Sequence, residues 1–311
     1  MSFRPALFSY GNMKEVQKNS FRAWVLAARP KTLTGAAAPV LIGGSYALYV
    51  NTFSLVPFLL CLFFAFLMQV DANFINDWFD FQKGTDREDR LGPERTCAQG
   101  WISPSAMKRA IFLTSVVSCC VGFPLVMWGG WMLVGIGALC VAGAFLYTVK
   151  LSYLGLGDVL VILFFGLIPV FFTWYVIVCE TPSFTRENII VCLLLGLATG
   201  FVIDTLLMVN NYRDREQDLL SGKITIMVRV SKKVGLSFYF LVGFMGVVIA
   251  VAAMIWSGIS LWWIELAYLV LHCHTFWKMR TLEGRALNGI LGETSRNIIL
   301  FALFTCLSLR F

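Results

Sequence analysis

Long apolar runs alternate with short polar segments along the whole chain. An apolar run of about 17–25 residues is long enough to cross the hydrocarbon core of a bilayer as a helix. The sequence predicts about nine such spans, the last of them short. The predicted spans are 32–51, 55–76, 109–129, 131–149, 156–178, 187–209, 234–256, 259–277 and 296–311. We therefore expect an all-α polytopic membrane protein.

The two largest polar segments, 77–109 and 210–233, follow the second and the sixth span. Spans one to four and spans five to eight therefore form two four-helix pseudo-repeats, each with its polar segment in the same place. Membrane proteins use repeats of this kind to build a central site, so we expect the two halves to surround a central cavity. The predicted organisation is an N-terminal arm, residues 1–31, followed by a single transmembrane domain, residues 32–311.

The composition supports a membrane location. Hydrophobic residues make up 58% of the 311 residues and charged residues only 14%, whereas a soluble domain carries roughly 25% charged residues. The mean hydropathy is +0.76. Lipid must therefore cover much of the apolar surface, and the bilayer is an expected partner. The nine cysteines lie mostly in apolar runs without metal-ligand or disulfide spacing, so we interpret them as packing residues.

The basic residues predict the orientation of the chain. Lysine and arginine collect in the cytoplasmic segments of membrane proteins. With the N-terminus inside, all of the 25 lysine and arginine residues except Arg186 and Arg310 fall on the cytoplasmic side. We therefore expect a multi-pass protein of the cell inner membrane, with its N-terminus and both large polar segments in the cytoplasm. This basic face explains the net charge of +7, and no nucleic-acid partner is expected.

An acidic motif ends the second span. Asn76 and Asp80 are four residues apart, so they share one face of the helix, and Asp77 lies beside them. Asp86 follows Gly84, where the chain can turn. This motif therefore places several oxygen atoms at the cytoplasmic end of the predicted cavity.

A second acidic motif ends the sixth span, at the equivalent place in the second half. Asn210, Asp214 and Asp218 repeat at four-residue spacing and again share one helix face. Mg²⁺ prefers oxygen ligands, takes one or two protein carboxylates and completes its shell with water and substrate phosphate. Two such motifs across a cavity predict a site that holds a diphosphate through Mg²⁺, which would neutralise the leaving group as its C–O bond breaks.

Basic residues near both motifs are suited to direct phosphate contacts. They are Lys83, Arg90, Arg95, Arg213 and Lys223. The alternative is that the acidic residues are solvated charges balanced by these neighbours. For one isolated motif that alternative would be preferred, but two asparagine-led motifs at matching positions favour a binding site.

Other polar and aromatic residues lie at the ends of the central spans. Tyr147, Lys150 and Tyr153 close the fourth span and Asp158 opens the fifth; they either line an acceptor pocket or cap helix ends. Asp204 lies inside the sixth span, where a carboxylate is either functional or hydrogen-bonded to another helix. Some aromatic side chains are candidates for shielding an allylic cation. They are Phe74, Trp78, Phe145 and Phe165.

The two acidic motifs resemble those of the UbiA superfamily of intramembrane aromatic prenyltransferases. Several further segments are similar to the branch of that superfamily that prenylates 1,4-dihydroxy-2-naphthoate. They are 29–33 (RPKTL), 84–86 (GTD), 90–95 (RLGPER), 155–158 (GLGD), 210–218 (NNYRDREQD) and 222–225 (GKIT). Many superfamily members carry a further aspartate four residues after the position of Asp80. Here that position is Gly84, with Asp86 two residues on, an arrangement that the same branch shares.

The resemblance implies a reaction and a role for each residue. Mg²⁺ would bind the diphosphate of a polyprenyl donor whose tail lies in a lipid-open tunnel. The donor would ionise to an allylic cation, and the ring of 1,4-dihydroxy-2-naphthoate would attack it. Loss of CO₂ and oxidation steps would then lead to demethylmenaquinone. Catalytic roles are implied for Asn76, Asp80, Asn210, Asp214 and Asp218, and metal ligation for Asp77, Asp80, Asp86, Asp214 and Asp218. Substrate contacts are expected from Lys83, Arg90, Arg95, Tyr147, Lys150, Tyr153, Asp158, Arg213 and Lys223.

Three other interpretations stay open on sequence alone. The first is the same chemistry on another acceptor, such as 4-hydroxybenzoate, homogentisate or a haem ring, because the acidic motifs bind only the donor. The second is a transporter of divalent cations or of a phosphorylated solute. The third is a structural membrane scaffold.

Overall fold

The computed structural model describes residues 16–84 and 90–310, and every regular element within these residues is helical. The α-helices of the described residues are numbered α1–α13 in chain order. They are α1 Phe21–Ala28, α2 Leu33–Tyr49, α3 Leu55–Lys83, α4 Pro104–Gly122, α5 Val126–Gly129, α6 Met132–Val149, α7 Gly157–Ile162, α8 Ile168–Val178, α9 Arg186–Leu220, α10 Ile226–Arg229, α11 Lys232–Trp256, α12 Leu266–Met279 and α13 Leu287–Arg310. A π-helical turn, Leu163–Leu167, joins α7 to α8.

Seven helical segments of the described residues are long and apolar enough to cross a membrane. They are Leu55–Lys83, Pro104–Gly129, Met132–Val149, Gly157–Val178, Arg186–Leu220, Lys232–Trp256 and Gly284–Arg310. The first and the eighth predicted span correspond to α2, of 17 residues, and α12, of 14 residues. A spanning helix normally needs about 20 residues, and both of these helices are shorter. The all-α membrane fold is therefore confirmed, whereas the predicted count of nine spans is not.

The two helices that carry the acidic motifs extend beyond their apolar segments. Helix α3 continues to Lys83 and α9 to Leu220, past the predicted span ends at 76 and 209. The described residues of both motifs are therefore helical, and the loops expected at 77–109 and 210–233 begin later than the sequence suggested. Gly84 ends α3 in the left-handed conformation, with φ of 65°, which glycine adopts without strain.

Helix α9 is the centre of the bundle. In its apolar segment 61% of the residues are buried, against 11% in α6. It packs against α2, α7, α8, α11 and α13. It also crosses the π-helical turn closely, because a Cβ atom on Gly166 would lie only 2.4 Å from the Gly200 Cα atom. Small residues permit such close crossings of membrane helices, and this crossing holds α7 and α8 against α9.

The short helix α1 holds the N-terminal segment against α3. The Ser20 side chain caps α1 by accepting a hydrogen bond from the Ala23 N–H at 3.3 Å. Ala23 and Ala27 are buried in an apolar cluster that includes Phe74 and Ile75 of α3. This packing places the start of α2 beside the first acidic motif.

Candidate functional site

A central cavity of about 510 Å³ lies between helices α2 to α9. Its walls are mainly apolar, with side chains such as Met68, Phe165 and Leu206. Asn76 and Asn210, the first residues of the two acidic motifs, line the cavity where the motifs begin. The cavity therefore combines a long apolar interior with a polar end.

Asn76 and Asp80 lie one helical turn apart on α3 and have different partners. The Asn76 Oδ1 atom accepts a hydrogen bond from the Thr148 Oγ1 atom at 2.6 Å. The Asp80 carboxylate accepts one from Arg95 Nη2 at 2.7 Å. The Arg90 side chain also lies close enough for its positive charge to act on Asp80. The first motif therefore presents one amide and one carboxylate, the latter among cations.

The second motif presents two carboxylates, each with its own cation. The Asp214 carboxylate accepts a hydrogen bond from Arg213 Nε at 2.7 Å, and the Asp218 carboxylate accepts one from Lys223 Nζ at 3.2 Å. Asn210 lies one turn before Asp214 and lines the cavity. Because these residues recur every four positions along α9, they follow one face of the helix away from the cavity.

The structure brings the two motifs together into one electrostatic site. The carboxylates of Asp80 and Asp214 lie close enough to Asp218 for their negative charges to act on it. Lys223, the partner of Asp218, likewise lies near Asp80. Carboxylates from α3 and α9 therefore share one site with the cations that balance them.

The donor atoms of this site fit a metal ion that is shared with a substrate. Carboxylate and amide oxygens are the hard ligands that Mg²⁺ prefers. Within 16–84 and 90–310, no three His, Cys, Asp or Glu side chains lie close enough to hold a metal ion by themselves. The site therefore suits Mg²⁺ held by one or two carboxylates and completed by phosphate oxygens, and it does not suit an all-protein metal centre.

Asp77 has a different place from Asp80. It is 1% exposed. Its Oδ2 atom accepts hydrogen bonds from the N–H and the Oγ1 of Thr96, both at 2.9 Å, and its Oδ1 atom accepts one from the Cys97 N–H at 2.9 Å. Both oxygens are therefore engaged with the loop before α4, which suits an anchor for that loop rather than the expected metal ligand. Asp86 lies outside the described residues.

Lys83 is held at the edge of the site. Its Nζ atom donates a hydrogen bond to the Val149 carbonyl at 2.9 Å and lies 3.9 Å from the centre of the Tyr153 ring. Its charge also acts on Asp80. Lys150, between these two contacts in sequence, is exposed. The turn after α6 therefore fixes Lys83 near the first motif.

Tyr147 stands between the central cavity and a small polar pocket, and it lines both. Asp158 and Lys223 also line the small pocket. Asp158 is 6% exposed and Asp204 1% exposed, and one oxygen of each has no hydrogen-bond partner in the described part of the chain. The two carboxyl groups are close enough to interact electrostatically. Two buried carboxyl groups therefore lie near Tyr147.

The aromatic candidates do not share one place. Phe165 lines the cavity, whereas Phe74, Trp78 and Phe145 pack in or against the apolar cluster around α1. Of the four candidates, Phe165 therefore belongs to the cavity wall and the other three do not. Other phenylalanines of the cavity wall are Phe64, Phe123, Phe164 and Phe172.

Three polar residues of the site were missed by sequence reasoning. Thr148 holds Asn76, as described above, and Asn73 donates a hydrogen bond to Thr32 Oγ1 at 2.9 Å beside the cavity. Thr148 directly follows Tyr147, and Asn73 lies one helical turn before Asn76. Both positions could have indicated a place near the site. Asn288, which accepts a hydrogen bond from Arg213 Nη1 at 2.7 Å, lies far along the chain and has no local signal.

Comparison with known proteins identifies the family. The profile of the UbiA prenyltransferase family matches residues 36–288. The chain belongs to this family. It is a prenyltransferase, as the acidic motifs suggested. It is 32% identical to the 1,4-dihydroxy-2-naphthoate octaprenyltransferase of Escherichia coli (strain K12) over 312 residues, which covers 96% of this chain and 98% of that protein. The resemblance to the naphthoate branch is therefore confirmed.

Solved structures of UbiA homologues share the fold of this prenyltransferase. The apo structure of a homologue from Aeropyrum pernix K1 has a TM-score of 0.67 at 15% identity, and the match covers 88% of this chain and 96% of that one. A homologue from Archaeoglobus fulgidus, bound to DMAPP and Mg²⁺, has a TM-score of 0.62 at 13% identity, with coverage of 91% and 99%. At such identities the likeness extends to the fold alone.

Proposed function

We propose that this prenyltransferase transfers a polyprenyl group from a polyprenyl diphosphate to 1,4-dihydroxy-2-naphthoate in an Mg²⁺-dependent reaction that releases diphosphate and CO₂. The product is the quinol form of demethylmenaquinone, which a separate two-electron oxidation converts to demethylmenaquinone for menaquinone biosynthesis. The observation that carries the proposal is the group of carboxylates from two helices, each with a cation, at the polar end of a 510 Å³ apolar cavity. The choice of acceptor rests on the similarity to the Escherichia coli enzyme along nearly the whole chain.

The polar end of the cavity would bind the diphosphate. Mg²⁺, when bound to one or two of the carboxylates of Asp80, Asp214 and Asp218, would supply positive charge that offsets the charge developing on the leaving diphosphate. Arg95 and Arg213 already lie in hydrogen-bonding contact with these carboxylates. Their guanidinium groups have further donors in a planar arrangement that suits phosphate oxygens. The site thus provides carboxylates that can bind Mg²⁺ and guanidinium groups that can bind phosphate oxygens directly.

The apolar part of the cavity would hold the prenyl chain and keep water from the reacting carbon. Phe164 and Phe165 belong to its wall, and the faces of aromatic rings stabilise nearby cations. Exclusion of water protects a carbocation from hydrolysis until the acceptor ring attacks it. Asn76 and Asn210 mark the boundary between this part and the diphosphate end.

The distribution of charge supports the proposed orientation in the membrane. Except for Arg186 and Arg310, the lysine and arginine residues fall in segments on the side of the acidic motifs. Because basic residues stay in the cytoplasm during insertion, this side would face the cytoplasm of a cell whose inner membrane contains the protein.

Assay of the purified protein in nanodiscs tests the acceptor and the metal together. We expect an all-trans polyprenyl diphosphate and Mg²⁺ to give prenylated product from 1,4-dihydroxy-2-naphthoate, with a rate on 4-hydroxybenzoate at least about 100-fold lower, because a site shaped for one aromatic acid rejects another. Chelation with EDTA should stop turnover, and Mg²⁺ should restore it. Mass spectrometry of the extracted lipid identifies the product.

Two outcomes would contradict this proposal. Product from 4-hydroxybenzoate with none from the naphthoate would assign the enzyme to another acceptor. Turnover that continues at full rate in excess EDTA would show that the reaction does not need Mg²⁺, and the acidic residues would then not have their proposed role.

A further inference from the structure

Asn288 of α13 joins the two acidic motifs. Its Oδ1 atom accepts a hydrogen bond from Arg213 Nη1 at 2.7 Å, and its Nδ2 atom donates one to the Leu91 carbonyl at 2.9 Å. The guanidinium group can only donate and the carbonyl can only accept, so a side-chain amide is the group that satisfies both in one position. The two contacts therefore determine which way the amide is turned.

Each partner of Asn288 belongs to one side of the diphosphate site. Arg213 holds the Asp214 carboxylate through Nε at 2.7 Å. Leu91 lies in the loop that leads to Arg95, which holds the Asp80 carboxylate at 2.7 Å. A single amide thus links the arginine of the second motif to the loop of the first.

The loop touches Arg213 at a second point. A Cβ atom on Gly92 would lie 2.9 Å from Arg213 Nη2 and 3.3 Å from Cζ. The absence of a side chain at position 92 therefore allows the loop backbone to lie against the guanidinium group. Asn288 and Gly92 therefore both favour the contact between this loop and Arg213.

Packing fixes Asn288 in this place. Leu287 and Ile290, on either side of it, are buried in an apolar cluster with Met208 and Tyr212 of α9. Tyr212 directly precedes Arg213, so the cluster sets the register of α13 against the motif-bearing turn of α9. The amide is therefore presented from the first turn of a helix whose neighbouring side chains are packed against α9.

We propose that Asn288 is a positioning residue for the diphosphate site. It holds the loop that contains Arg95 against Arg213, so that cations from both motifs stand where the diphosphate of the donor binds; this role rests on the function proposed above. Asn288 itself acts through Arg213 and Leu91. Loss of the amide should therefore weaken donor binding without changing the acceptor site.

The test compares Asn288→Ala with wild-type protein in two measurements. The first is binding of the slowly reacting analogue geranyl thiolodiphosphate with Mg²⁺ and without any acceptor. The second is steady-state kinetics with both substrates. We expect Asn288→Ala to raise the Kd of the analogue and the KM of the polyprenyl diphosphate about tenfold, with the KM of the acceptor within about twofold of wild type.

Asn297→Ala is the matched control. Asn297 lies on the same helix, is 1% exposed, and donates a hydrogen bond to Thr275 Oγ1 at 2.9 Å in α12. Its loss should lower the midpoint of thermal unfolding and leave analogue binding unchanged. Asn288→Asp, which keeps an acceptor for Arg213 but cannot donate to Leu91, should bind the analogue as weakly as Asn288→Ala does.

Gly92→Ala provides an independent variant in case Asn288→Ala fails to fold. Its Cβ atom should displace the loop from Arg213 and raise the analogue Kd in the same way. Wild-type analogue binding by either variant, when folded, overturns the inference. If wild-type protein itself fails to bind the analogue with Mg²⁺, the proposed function fails, and the inference fails with it.

Discussion

Asp77 and Asp80 are three residues apart on one helix and face different partners. Both Asp77 oxygens accept hydrogen bonds from Thr96 and Cys97 in the loop before α4. Asp80 instead meets Arg95 at the acidic site. The residues that Asp77 binds directly follow Arg95 in the chain. Asp77 therefore helps to hold the loop that carries Arg95, whereas Asp80 contributes its negative charge to the site itself.

We expect Asp77→Asn to destabilise the fold and Asp80→Asn to remove activity. The Asp77 change replaces one buried acceptor oxygen by a donor, which should cost about 1–3 kcal/mol of unfolding free energy. The Asp80 change keeps an oxygen for Arg95 but removes the negative charge offered to Mg²⁺, so kcat should fall about 100-fold or more with near-native stability. Thermal unfolding and turnover of each variant measure the two effects.

Two further variants complete that comparison. Asp214→Ala should behave as Asp80→Asn does, because it removes the equivalent carboxylate of α9. Glu216→Ala is the matched control, since the Glu216 side chain is 81% exposed on the same helix and should leave turnover unchanged. Full activity in Asp80→Asn, or a stability loss there as large as in Asp77→Asn, would contradict the division of roles.

The four-residue spacing of the motifs was sufficient to predict their shared helix faces, because the period of an α-helix is fixed. The metal-ligand role of Asp77 was implied by the family resemblance, and the structure gives its oxygens other partners. Its partners are backbone N–H groups of residues 96 and 97, and every residue carries such a group, so nothing in the local sequence marks which N–H groups will turn towards a buried carboxylate.

At the scale of helices, the crossing of the π-helical turn over α9 depends on glycine. The atoms nearest to a Cβ built on Gly166 are all backbone atoms of Gly196 and Gly200, at 2.4–2.6 Å. Backbone atoms cannot rotate away as a flexible side chain can. Any side chain at position 166 therefore requires the two helices to separate.

Gly166→Ala should lower stability by about 1–3 kcal/mol, the usual cost of overpacking a filled interior. It should also reduce turnover, because Phe165 and Leu206 of the cavity wall lie on the two elements that must separate. Gly135→Ala is the control, since its Cβ atom would meet nothing within 4 Å. Thermal unfolding in detergent distinguishes them, and equal midpoints for both variants would refute the packing argument.

Hydrophobicity predicted most of the spans because lipid requires apolar surface along the full thickness of the bilayer. It could not predict the ends of α3 and α9, since hydropathy marks the thickness of the membrane and not the end of a helix. The contact of Asn288 with Leu91 joins positions 197 residues apart. Such contacts arise from tertiary packing, which no local pattern encodes.

At the scale of the whole molecule, the depth of the cavity decides which donors fit. The cavity extends from Asn76 and Asn210 at its polar end to residues such as Leu125 and Val176 in the bundle interior. A longer prenyl chain must occupy more of this apolar volume, whereas a short chain uses only the part next to the diphosphate. A side chain added below the polar end should therefore discriminate between donors by length.

Gly137 offers a place for such a side chain. It lines the cavity, and a Cβ atom there would meet nothing within 4 Å. It lies ten residues before Tyr147 on α6, about 15 Å along the helix. We expect Gly137→Phe to lower kcat/KM for a long polyprenyl diphosphate about tenfold or more, while kcat/KM for geranyl diphosphate stays within about threefold. Gly135 is exposed on the same helix, so the control variant Gly135→Phe should change neither value. An equal loss of kcat/KM for both donors in Gly137→Phe would mean that the prenyl chain does not follow this cavity.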